Sequence, residues 1–183
     1  MRATTVLGAA LIAAAALPAY AGDIMIDMYA ISDAGVGKPI GKIRAVDSTR
    51  GLLFVPNLHL PGATAGEHGF HMHEFPSCGA KGPDGKTGAG LAAGGHYDPE
   101  KTGHHLGPKG KGHLGDLPSL TFDDKGSAYA AEAAPRLKVD DLRGHALVIH
   151  AGGDNYDDNP PLGGGGARIA CGVVPRGSVE KKD

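Results

Sequence analysis

The sequence predicts an all-β domain, a sandwich or barrel of short antiparallel strands. Three observations carry that reading. Glycine and proline are abundant, at 31 and 13 residues. Short apolar or alternating runs recur between turn signals, and stretches with helical periodicity are scarce. Ile24–Ala30 is the first such run. Ile40–Val46 alternates, with Lys42 and Arg44 on one face and Ile43 and Ala45 on the other, as a half-buried strand does. Gly51–Val55 continues the pattern up to Pro56, which has no N–H to give a ladder and is expected to end the strand. Leu58–Leu60, Gly69–Glu74, Leu120–Phe122, Ser127–Ala131, Ala146–His150 and Arg168–Val174 supply the remaining strands. Two long segments, 75–118 and 151–167, interrupt the rhythm. Loops of that length in a compact domain are usually functional.

The amino terminus reads as an export signal. Met1-Arg2 is followed by a nearly unbroken apolar run from Val6 to Leu17 and by Pro18-Ala19-Tyr20-Ala21, an Ala-x-Ala ending. The run falls short of the ~20 apolar residues a membrane span needs, so cleavage after Ala21 is expected. That leaves one domain, residues 22–183, expected to be soluble and exported, with no membrane contact after cleavage. Loss of Arg2 without any acid makes the mature chain one unit more negative than the formal −2 of the whole sequence, which argues against nucleic acid as a partner. Two cysteines, Cys78 and Cys171, remain after cleavage. In an oxidising compartment an even pair predicts a disulfide.

The chemistry centres on Glu67-His68-Gly69-Phe70-His71-Met72-His73-Glu74. If this stretch is extended, His71 and His73 share a face and can aim both imidazoles at one metal ion. Two ligands rarely hold a transition metal, so others must come from afar. Candidates are His96, the adjacent pair His104 and His105, His113 and His150. The glycine run 163–166 lacks a following Gly-Lys-Ser/Thr and is not a phosphate cradle, and no His-Glu-x-x-His marks a zinc hydrolase.

Taken together, Gly69-Phe70-His71-Met72-His73, Gly94-Gly95-His96-Tyr97-Asp98-Pro99, His105-Leu106-Gly107-Pro108, Gly112-His113-Leu114-Gly115-Asp116-Leu117, Ala146–His150 and Gly166–Gly172 closely resemble the copper/zinc superoxide dismutases, in particular the bacterial periplasmic branch. The resemblance implies a flattened eight-stranded Greek-key barrel, an immunoglobulin-like sandwich. It implies copper held by His71, His73, His96 and His150, and zinc held by His96, His105, His113 and Asp116, with His96 shared. Asp154 matches a carboxylate that links a copper-side and a zinc-side histidine. Arg168 matches the residue that docks the superoxide anion, and His96 a proton carrier. His68 matches a structural position, whereas His59 and His145 match nothing. Lys81, Lys86, Lys109 and Lys111 are candidates for steering the substrate or are solvated loop charges. A non-catalytic copper/zinc-binding protein of the same fold is the alternative. Relatives of this branch include monomers and dimers, so a homodimer is possible.

Overall fold

The computed structural model describes residues 22–176; the expected leader, 1–21, and the tail, 177–183, lie outside the described residues. The chain opens as a meander of β1 (Asp23–Ser32), β2 (Gly35–Ser48) and β3 (Gly51–His59). Each hairpin closes over two residues, with Ser32 opposite Gly35 and Ser48 opposite Gly51. The Ser48 hydroxyl donates to the Gly51 carbonyl at 2.7 Å and locks the second turn.

β3 runs straight through Pro56, contrary to the expectation that proline would split it into Gly51–Val55 and Leu58–Leu60. The reason lies in its far edge. There β3 pairs with β7 (Ser127–Ala128) at Leu58–His59 and with β8 (Glu132–Ala134) at Leu52–Phe54. Pro56 falls in the gap between these two short partners, so no strand on that edge asks for its missing N–H. The same gap corrects the expected strand Ser127–Ala131, which is cut short to β7 at Ala128, with Tyr129 turned out to solvent and β8 starting only at Glu132.

The remaining strands are β4 (Gly66–His68), β5 (Phe70–His73), β6 (Leu120–Phe122), β9 (His145–His150) and β10 (Arg168–Val174). The main antiparallel sheet has the order β5-β9-β10-β1-β2-β3-β7, with β8 also on β3, while β4 pairs with β6. β5 follows β4 across Gly69, and β6 leads into β7 through the turn closed by Asp123 and Ser127. The sheet therefore curls back on itself. Counting β4 with β5 and β7 with β8, eight strands form the ring, and the connections β3 to β4 and β8 to β9 each pass over two of them, which is a Greek key. Among the described residues no helix is long and apolar enough to cross a membrane. The helical elements are 3-10 turns at Leu91–Ala93, Val139–Leu142 and Pro161–Gly164.

Inside the ring, Phe54, Phe70, Phe122, Met28, Ile43, Leu52, Leu58, Met72 and Leu147 are fully buried. Phe54 meets Phe70 edge to face at 5.1 Å. Each such side chain stabilises the fold by roughly 1.5–3 kcal/mol through the apolar area it takes out of water.

A second, smaller apolar cluster lies on the outside of the same sheet. Ala146 and Val148 of β9 and Cys171 of β10 are covered there by Ile31, Cys78 and Ala93. This is why Ala146–Ile149 is apolar without alternation, since both of its faces are covered. The expected disulfide is formed: Cys78 in the long loop 75–118 is bonded to Cys171, with Cα atoms 5.8 Å apart.

Candidate metal centre

The outer face of β5 and β9 is where the histidines gather. In β5, Phe70 and Met72 point into the barrel, so pleating turns His71 and His73 to the opposite side. There they lie opposite Val148 and Ala146 of β9, whose last residue is His150. The loop 75–118 folds over this face and brings in His96, which bridges to His73 as an isolated β pair. The candidate ligand atoms of His71, His73, His96 and His150 all lie within 4.8 Å of one another, and all four residues are buried. The rings of His71 and His96 stack with centroids 3.9 Å apart.

His96 belongs to a second group with His105, His113 and Asp116, also within 4.8 Å. Here the Nδ1 atoms of His96, His105 and His113 converge on one oxygen of Asp116, at 3.2, 2.8 and 3.2 Å. Four ligands about 2.0–2.2 Å from a tetrahedral zinc stand about 3.3 Å from each other, so the three contacts to Asp116 have roughly the spacing of such a shell. The other Asp116 oxygen accepts the Leu106 N–H at 3.0 Å.

Asp154, on the second long loop, joins the two groups. One oxygen takes His71 Nε2 at 2.7 Å and the other takes His105 Nε2 at 2.8 Å and the Tyr156 N–H at 2.8 Å. The glycine run has its explanation here. A Cβ on Gly163 would collide with Asp154 Oδ1 and His105 Nε2, and its φ of +71° is one that glycine adopts freely.

Arg168 starts β10, opposite His150. Its two terminal nitrogens donate to the carbonyls of Gly90 and Gly94, each at 2.6 Å. The Gly94 carbonyl also accepts Nδ1–H of His73 at 3.0 Å, so one backbone oxygen holds both the arginine and a histidine of the first group.

Comparison with known proteins decides the family. Residues 40–174 match the family described as "Copper/zinc superoxide dismutase (SODC)". The chain is 48% identical over 161 residues to "Superoxide dismutase [Cu-Zn]" of Brucella abortus, covering 87% of this chain and 92% of the relative. The chain belongs to the copper/zinc superoxide dismutase family. Two solved structures of that family share the fold. The Brucella abortus enzyme superposes with a TM-score of 0.79 at 47% identity, over 84% of this chain and 99% of that one. The solution structure of the monomeric enzyme from Salmonella enterica gives 0.73 at 47% identity, with the same coverage.

The donor chemistry of this superoxide dismutase chain fits copper and zinc. In the first group each neutral imidazole has its proton placed by a partner. His71 gives Nε2–H to Asp154, His73 gives Nδ1–H to Gly94, and His150 gives Nδ1–H to the Gly166 carbonyl at 3.0 Å. That leaves His71 Nδ1, His73 Nε2 and His150 Nε2, and these three are the buried side-chain nitrogens or oxygens with no hydrogen-bond partner among the described residues. They belong to three of the four histidines whose candidate ligand atoms lie within 4.8 Å of one another. Burial also pushes His71 down to about 3, His150 down to about 4 and His73 well below the ordinary imidazole range. Burial thus favours the neutral form of each ring, which is the form that binds a metal ion.

The second group has the opposite electrostatics. Burial pushes His105 down, but the carboxylates of Asp116 and Asp154 outweigh it and raise the group to about 9. Burial alone would raise both carboxylates, yet the histidines beside them, His105 foremost, hold both well below the usual range. A cluster that already draws a proton to neutralise its carboxylates is suited to a divalent cation.

The structure thus brings together every residue singled out as a ligand, with Asp154 and Arg168 beside them. His104, the competing neighbour of His105, is turned outward and pairs with Asp158 at 2.8 Å. His68 braces the centre from behind, with Nδ1 2.7 Å from the His150 carbonyl and Nε2 2.9 Å from that of Thr64. His59 contacts Ser127, and His145 contacts the carbonyls of His73 and Glu74. Sequence reasoning missed Arg136, whose guanidinium donates to the carbonyls of Gly112 and His113 at 2.9 and 3.1 Å and steadies the loop that carries His113. No residue pattern announces such a contact, because its acceptors are backbone atoms.

Proposed function

We infer that this chain is a copper/zinc superoxide dismutase that converts two superoxide anions and two protons to oxygen and hydrogen peroxide. The observation that carries this reading is the trio of orphaned, neutral imidazole nitrogens of His71, His73 and His150, closed by a histidine shared with a second donor set and flanked by a half-buried arginine. The all-imidazole set is the copper site, formed by His71, His73, His96 and His150, since imidazole suits a copper ion that changes oxidation state. Three imidazoles and a carboxylate, from His96, His105, His113 and Asp116, form a closed structural zinc site. When bound, copper supplies one-electron cycling, and zinc supplies fixed positive charge without redox chemistry.

The protein supplies docking and protons. Arg168 has five N–H donors, of which the Gly90 and Gly94 carbonyls take two, so three remain for the substrate oxygens. Its position is fixed before the anion arrives, which lowers the ordering cost of each encounter. His96 presents Nδ1 to Asp116 and leaves Nε2 as the atom that holds a proton and hands it to the departing peroxide. Asp154 keeps the His71 proton on Nε2, away from the reacting side.

All these groups lie in one chain, so the site is complete without a second copy, and a monomer, like the Salmonella enterica relative, is sufficient for the activity. The export signal read in residues 1–21 supports a periplasmic site of action for the domain at 22–183, where the disulfide is stable. The non-catalytic alternative has no feature in its favour, because neither a ligand nor the arginine is missing.

The test is dismutation by the purified chain from Gly22 onward, with both metals quantified in the same sample. Fast turnover at one copper per chain, abolished by selective copper removal, is the expected result. Full loading without turnover would overturn it. Replacing Arg168 with Ala is expected to slow the reaction about tenfold or more and to flatten its dependence on ionic strength, because the local positive charge that draws the anion is gone; this family is an established example of such steering. An unchanged rate and salt slope in a stopped-flow assay would remove Arg168 from the role.

A further inference from the structure

His104 and His105 are adjacent, and spacing alone gives either one the reach to complete the zinc-side set. The structure separates them sharply: the His104 side chain is 64% exposed and that of His105 is fully buried. One carboxylate touches both residues. Asp158 Oδ2 lies 2.8 Å from His104 Nδ1, and Asp158 Oδ1 accepts the His105 backbone N–H at 2.7 Å. That N–H belongs to the peptide unit joining the two histidines. Fixing its direction fixes which way each side chain leaves the backbone.

We propose that Asp158 is a positioning residue that selects His105, and holds His104 away, as the zinc-side histidine. The loop that carries Asp158 is braced for this. The Gly163 N–H donates to the Asp157 carbonyl at 3.1 Å, the Asn159 N–H donates to the Asp157 carboxylate at 2.9 Å, and the Asn155 amide donates to the Asn159 carbonyl at 2.9 Å. The same loop carries Asp154, four residues earlier, which grips His105 at Nε2. The second long loop thus holds His105 at both ends, by its ring through Asp154 and by its backbone through Asp158. The His104 carbonyl is held in turn by the His113 N–H at 2.9 Å, which ties the selection to the next residue of the zinc-side group.

The inference rests on the reading of His96, His105, His113 and Asp116 as a zinc site, and its test separates the two. The full chain is stripped of metal, and zinc affinity is measured by competition with a chromophoric chelator. Cobalt(II) is then bound in place of zinc, and its visible absorption reports ligand identity and geometry. Asp158→Ala is expected to weaken zinc about tenfold or more, as loss of a partner outside the ligand shell commonly does, and to turn a single cobalt spectrum into a mixture. Asp158→Asn keeps an oxygen for the His105 N–H and is expected to bind zinc within about threefold of the native chain, a rescue that a general charge effect would not give. Adding His104→Ala to Asp158→Ala removes the competing imidazole and is expected to restore a single cobalt spectrum while affinity stays low. Asp158→Glu, whose longer arm cannot keep both contacts, gives the same readout if the alanine variant does not fold. Native affinity and a native cobalt spectrum in a folded Asp158→Ala or Asp158→Glu chain would overturn the proposal. Failure of the native chain to bind zinc or cobalt at all would instead overturn the zinc reading.

Discussion

Asp154→Ala is expected to weaken copper and zinc together, by about 10- to 100-fold each, although Asp154 belongs to neither donor set. Its carboxylate is the acceptor for His71 Nε2–H and His105 Nε2–H, both fully buried. Without it two buried N–H groups lose their partner, at about 1–3 kcal/mol each in the folded metal-free protein. The tautomers are also released. The His71 proton can then move to Nδ1, the buried atom left without a hydrogen-bond partner, and block it. Separate titrations of the metal-free protein with each metal measure this. A loss confined to zinc would show that Asp154 does not set the copper side.

Replacing both Cys78 and Cys171 with serine is expected to cost about 4–5 kcal/mol of stability, because the bond closes a loop of 93 residues in the unfolded chain. For a domain of this size that is a fall of roughly 10 °C or more in the thermal midpoint. A second effect should accompany it. The disulfide ties the loop 75–118 to the strand that carries Arg168, and the carbonyls that hold the guanidinium, those of Gly90 and Gly94, lie on that loop. With the loop loosened, the arginine loses its fixed anchor points and the rate should fall even below the melting transition. An unchanged rate at 25 °C in the folded double variant would show that the two hydrogen bonds suffice without the covalent tie.

The chemistry was more legible in the sequence than the scaffold was. His71 and His73 announce themselves because a strand's alternation is a local rule, and the surrounding Phe70 and Met72 confirm which side is the core. The remaining ligands are separated by loops, and only their full set in order makes them a pattern. Pro56 misled because its tolerance depends on where two other strands stop, a tertiary fact. β8 and the 3-10 turns were missed since segments of three or four residues carry too little periodicity to be seen. Arg136, Asp158 and the Gly94 carbonyl act through backbone groups, which every residue possesses and which no residue type advertises. The glycine run 163–166 was visible, and its cause was not: Gly163 leaves space for Asp154 of its own loop and for His105, which comes from the other long loop.

The first described strand is hydrogen-bonded to the last, with Tyr29 opposite Cys171 and Ala30 opposite Ala170. A chain emerging from its amino terminus therefore holds β1 with one side open until nearly all of the domain has appeared. Assembly cannot finish in step with synthesis. The meander of β1 to β3 can form early from neighbours in sequence, but closing the ring waits for the final strand, and such long-range closure is the slow part of building a β domain. Until then the uncovered side of β1 is a place where another chain can add itself, which makes the interval before β10 arrives the time when this protein most needs protection from its own copies.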